Sequence, residues 1–98
     1  MGGGFQVIEF EMTPNPNAVK CVLDRPISDG TRSFLSAEAA ESDPIARALF
    51  GEAGATNVLF GGGWLTVSKR PEDSWGTVKR RIRKVLLAAV GSGPEDGA

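Results

Sequence analysis

The sequence predicts an α+β fold: a mostly antiparallel four- to five-stranded sheet with two helices on one face, in the order ββαββα. Three observations carry that prediction. Two alternating apolar stretches flank a proline–asparagine turn, a second pair of β-rich stretches is joined by three glycines, and each pair is followed by apolar residues at helical spacing.

In residues 5 to 12, Ile8, Phe10 and Met12 fall on one side and Val7, Glu9 and Glu11 on the other, the alternation of a half-buried strand. From Ala18 to Asp24 the pattern repeats, with Val19, Cys21 and Leu23 against Lys20 and Val22. Between them lies Thr13-Pro14-Asn15-Pro16-Asn17. Its prolines have no N–H for a ladder and its asparagines tolerate left-handed backbone, so the chain turns and the two strands form a hairpin.

Arg25 to Thr31, with Pro26 and Gly30, reads as a loop, and Arg32 to Leu35 as a short edge strand. Ser42 is the expected N-cap of a helix with Asp43 and Pro44 in its first turn and Ile45, Ala48 and Leu49 on its apolar side, running to Gly51. Ala55 to Phe60 and Trp64 to Ser68 are strands turned by Gly61-Gly62-Gly63. After Pro71, Asp73 or Ser74 caps a helix whose stripe is Trp75, Val78, Ile82, Val85, Leu86 and Ala89, ending near Gly91. Residues 1–90 are expected to form one domain and residues 91–98, rich in glycine and acid, a disordered tail.

Composition narrows the function. With 41% hydrophobic and 23% charged residues among 98, the chain has enough apolar material for one core. A net charge of −1 supplies no global field for nucleic acid or an acidic membrane. No apolar run approaches the roughly 20 residues of a membrane span, and the glycine-rich start lacks the segments of a secretory signal, so a cytoplasmic location is expected. Cys21 is the sole cysteine and histidine is absent, which excludes an internal disulfide, a zinc cluster and histidine-based catalysis. An iron–sulfur cluster needs about four thiolates, or two with two imidazoles, so the chain alone is expected to hold no cofactor stably. No enzyme activity is expected.

Several local features compete for a functional role. The loop Thr13, Pro14, Asn15, Pro16 and Asn17, with Lys20 beside it, presents a rigid set of carbonyls and amides at one end of the sheet; turn formation alone accounts for it, and a partner-binding edge is the competing reading. Lys79, Arg80, Arg81, Arg83 and Lys84 are expected opposite the apolar stripe of the last helix. There they form either a solvated face or a patch for nucleic acid or an acidic partner. Glu9 and Glu11 could offer oxygen ligands to a metal and Cys21 a shared thiolate, although its apolar neighbours fit a small hydrophobe better. The three glycines lack the lysine and hydroxyl ending of a phosphate loop.

The strings Thr13-Pro14-Asn15-Pro16-Asn17-Ala18-Val19-Lys20, Ser42-Asp43-Pro44-Ile45-Ala46 with Leu49-Phe50, Val58-Leu59-Phe60-Gly61 and Trp64-Leu65-Thr66-Val67-Ser68-Lys69 together resemble the N-terminal domain of Nfu/NifU-type iron–sulfur scaffold proteins. The likeness spans residues 5 to about 90. In that family the cluster-binding Cys-x-x-Cys lies in a separate C-terminal domain. The resemblance therefore implies an accessory, scaffold-associated domain in iron–sulfur cluster assembly, with iron or a cluster held only together with a partner. The implied partner is a scaffold or client protein; the net charge of −1 gives no reason to expect a membrane and weighs against nucleic acid. The alternative reading is a regulatory or nucleic-acid- or acidic-partner-binding module using the basic C-terminal helix.

Overall fold

The structure is a computed structural model and describes residues 4–89. Its elements are β1 (Val7–Met12), β2 (Ala18–Leu23), β3 (Thr31–Phe34), α1 (Ala37–Ala40), α2 (Pro44–Glu52), β4 (Asn57–Gly61), β5 (Trp64–Ser68) and α3 (Trp75–Ala88). The strands form one sheet in the order β1-β2-β5-β4-β3, and every neighbouring pair is antiparallel. The α+β fold and both hairpins expected from the sequence are borne out. The expected tail, residues 91–98, lies outside the described residues.

One face of the sheet makes the core. Val19 and Cys21 of β2 stand opposite Val67 and Leu65 of β5, and Val58 and Phe60 of β4 continue the row. These side chains pack with Leu49 of α2 and Ile82 and Leu86 of α3 in one cluster, at most 1% exposed. Each such burial contributes about 1.5–3 kcal/mol, which is what holds both longer helices on this face. On the other face, which no helix among the described residues covers, Lys20, Val22, Trp64 and Thr66 are only partly buried.

Three expectations need correction. The register of β1 on β2 jumps from Val7↔Leu23 to Glu9↔Val22, so Ile8 is the extra residue of a β-bulge. The bulge turns Val7 to the same side as Phe10 and leaves Ile8 64% exposed, and Met12 at the edge is 69% exposed. The simple alternation of residues 5 to 12 therefore fails at its first turn of phase. Second, Asp43 rather than Ser42 caps α2: one of its carboxylate oxygens accepts from the amides of Ile45 at 2.9 Å and Ala46 at 3.0 Å. Pro44, whose missing N–H suits the first helical position, fixes the cap one residue later than expected. Third, a short helix, α1, intervenes after β3, capped by the Ser36 hydroxyl, which accepts from the Ala39 amide at 3.1 Å.

Candidate functional site

The loop between β1 and β2 is built by its own polar side chains. The Thr13 hydroxyl shares its proton between the carbonyls of Asn15 at 2.9 Å and Ala18 at 3.0 Å and accepts from the Asn15 amide at 3.1 Å. The Asn15 side-chain oxygen accepts from the Asn17 amide at 2.8 Å, an Asx turn that replaces the ladder contacts its two prolines cannot make.

Two residues, Lys69 just after β5 and Trp75 at the start of α3, fasten this loop. The Trp75 indole N–H donates to the Pro16 carbonyl at 2.9 Å. Lys69, the one buried charged residue among the described residues at 7% exposure, donates from its backbone amide to the Asn17 carbonyl at 2.8 Å. Its ammonium donates to the Asn17 side-chain oxygen and to the Arg70 carbonyl, both at 3.2 Å, and lies 5.1 Å from the centre of the Trp75 ring. Among the described residues no carboxylate pairs with this buried cation, and dipoles and the ring face satisfy it instead. Pro14, Asn15 and Pro16 remain exposed above it.

The other expected site residues are dispersed. Lys20 turns to the uncovered face, 3.8 Å from Glu11 and 5.0 Å from the centre of the Trp64 ring, and so does not join the loop. Glu9 and Glu11 lie on that face too, while Cys21 is fully buried on the opposite one. Burial pushes the Cys21 thiol up from 9.0 to about 12, with Lys79 and Arg83 pulling weakly the other way. A protonated thiol in the core and two carboxylates across the sheet from it do not converge on one metal ion, and no group of three or more His, Cys, Asp or Glu gathers among the described residues. Of the basic run, Arg80, Arg81 and Lys84 are exposed on α3. Lys79 and Arg83 are not simply opposite the apolar stripe: they cover the Phe10 ring at 5.2 and 4.9 Å. The Trp64 ring lies on Gly61, where a Cβ would collide with it.

Sequence reasoning missed the clamp. Part of the signal was present: continuing the β5 alternation through Leu65 and Val67 carries Lys69 to the buried side, though it does not say what Lys69 meets there.

The architecture defines a small antiparallel α+β domain presenting a fastened loop at one end of its sheet. The chain belongs to the family described as "Scaffold protein Nfu/NifU N terminal", which matches residues 8–93. It is 34% identical over 88 residues to an NFU1 iron-sulfur cluster scaffold homolog, mitochondrial, of Drosophila virilis, covering 88% of this chain and 30% of that protein. The human protein of the same name is 33% identical over 91 residues, covering 91% and 36%. A NifU-like protein 5, mitochondrial, of Arabidopsis thaliana is 30% identical over 87 residues, covering 88% and 32%. The chain thus spans about a third of the length of these relatives. Among solved structures, a NifU-like protein from Saccharomyces cerevisiae shares the fold with a TM-score of 0.71 at 18% identity, covering 86% of this chain and 76% of that one. Protein SAV1430 from Staphylococcus aureus does so with a TM-score of 0.67 at 20% identity, covering 82% and 96%. The cytoplasmic location expected from the sequence is corrected here: the curated relatives are named as mitochondrial proteins.

Proposed function

We propose that residues 1–90 act as one accessory domain in iron–sulfur cluster assembly, docking a cluster scaffold or client protein through the Thr13 to Asn17 loop rather than catalysing a reaction. Membership of the Nfu/NifU N-terminal family supports the process. The observation that carries the docking role is the clamp: Trp75 and Lys69 hold Pro16 and Asn17 from beneath while Pro14, Asn15 and Pro16 face outward. A loop immobilised before binding loses little conformational entropy on association, which is the property of a recognition edge on a rigid scaffold. The cluster is cargo in this reading. Its thiolate ligands come from the partner, because Cys21 is buried and protonated and Glu9 and Glu11 lie across the sheet from it.

Calorimetric titration with a cluster-loaded Cys-x-x-Cys scaffold domain, without oxygen, tests the proposal. Replacing both loop prolines, Pro14→Ala with Pro16→Ala, leaves the clamp's partners in place but loosens the loop. It is expected to weaken binding by about tenfold, or 1.4 kcal/mol. Unchanged affinity removes the loop from the interface.

A further inference from the structure

Among the described residues the sheet ends in two unpaired edges, β1 and β3, and they are protected unequally. Strand β3 has four residues, is followed directly by α1, and its Arg32 is already paired with Asp43 at 3.0 Å. Strand β1 has six residues, and its bulge at Ile8 disrupts only its beginning, leaving Glu9 to Met12 in regular register with β2. Beside that edge the cations are uncommitted. Lys79 and Arg83 lie over the Phe10 ring and Arg25 over the Phe5 ring at 4.8 Å, and none of the three forms an ion pair among the described residues. Apolar surface accompanies them: Met12 is 69% exposed, and Leu87, 56% exposed, lines a hollow of about 150 Å³ with Gln6, Val7 and Arg83.

From this juxtaposition we infer that β1 accepts an extended acidic segment of a partner protein as a sixth strand, through the outward-facing backbone groups of Phe10 and Met12, with alternate carboxylates meeting Lys79 and Arg83. The pleat dictates the pattern. Phe10 and Met12 point to the helix side, so added residues facing that way meet the cations, whereas those facing the other way lie beside Glu9 and Glu11 and must not be acidic. An acid at every second position, with apolar or neutral residues between, satisfies both sides.

The same charges argue against a second copy of this chain as occupant. In an antiparallel self-pairing that keeps the two faces in phase and pairs three residues of the regular stretch Glu9 to Met12, either Glu9 stands opposite Glu11 of the other copy or Glu11 stands opposite itself. The helix side would then bring two sets of Lys79 and Arg83 together. Both arrangements place like charges across the ladder. The inference rests on the reading of the chain as a docking domain but uses a different surface from the Thr13 to Asn17 loop, so failure at one surface is distinguishable from failure at the other.

The test is an NMR titration of the labelled full chain with a capped peptide of about six residues, an ordinary strand length, alternating glutamate and valine. Two control peptides accompany it: one with glutamine in place of glutamate, and one with the glutamate sequence N-methylated at alternate residues. The expected result is saturable shifts along β1, affinity about tenfold higher for the glutamate than for the glutamine peptide, and loss of binding on N-methylation. The Lys79→Gln, Arg83→Gln variant, altering two side chains outside the core cluster, should erase the difference between glutamate and glutamine. Equal binding of the N-methylated peptide would overturn strand addition in favour of surface charge alone. Equal binding of the glutamine peptide, absence of shifts, or a concentration-dependent dimer formed through β1 would each overturn the inference as well. None of these readouts involves the loop or a cluster, so failure of the loop proposal leaves this test intact.

Discussion

The Trp75 indole donates to the carbonyl of Pro16 across 59 residues of sequence, tying the first turn of the last helix to the first hairpin. Because Pro16 itself has no N–H, its carbonyl is the only backbone polar group it offers, and the indole uses it. Replacing the indole by Trp75→Phe keeps an aromatic ring under Lys69 but removes the donor. The expected loss is about 1 kcal/mol in denaturant unfolding, with faster hydrogen exchange at Asn15 and Asn17 than in the wild type.

The Lys69 and Asn17 side chains form the second half of the clamp, and their coupling is measurable. In a double-mutant cycle of Lys69→Met and Asn17→Ala, each single change is expected to cost about 1–3 kcal/mol and the pair clearly less than the sum. Strict additivity in unfolding free energies would show that the 3.2 Å contact carries no energy.

Cys21 gives a pH signature. Its thiol is raised to about 12 in the folded chain from 9.0, so the unfolded state releases its proton first as pH rises. The corresponding stability is fully present below pH 9 and is lost progressively between there and about 12. Unfolding free energies measured across that window should fall for the wild type and fall less for Cys21→Ala. In the native protein at neutral pH, alkylation of Cys21 should be far slower than in denaturant.

Gly61 is required by Trp64. A methyl at this position meets the indole ring, so Gly61→Ala is expected to destabilise by about 1–3 kcal/mol, read from thermal unfolding. If the collision is the cause, adding Trp64→Ala should recover part of the loss.

The sequence made much of this fold legible for physical reasons. The alternations in Ala18 to Leu23 and Trp64 to Ser68 are unbroken, so β2 and β5 emerge with correct faces and Cys21 in the core. In β1 a single extra residue reverses the phase, and periodicity carries no mark of a bulge when Val7 and Ile8 are both apolar. The cap of α2 was misplaced by one residue because Ser42 and Asp43 are both good caps and only Pro44's fixed backbone decides between them. The loop was identified from its prolines and asparagines, but what fastens it was not. Lys69 and Trp75 lie more than 50 residues downstream of Asn17 and Pro16, and no local pattern reports a contact at that separation.

The most direct test of the docking role is an amide footprint: labelled protein titrated without oxygen with a cluster-loaded Cys-x-x-Cys scaffold domain, each backbone resonance followed to saturation. The account predicts saturable shifts centred on Thr13 to Asn17, spreading to Lys69 and Trp75 through the clamp, with Cys21 unperturbed. Saturable binding whose shifts avoid the loop, or no shifts at any ratio, would contradict it.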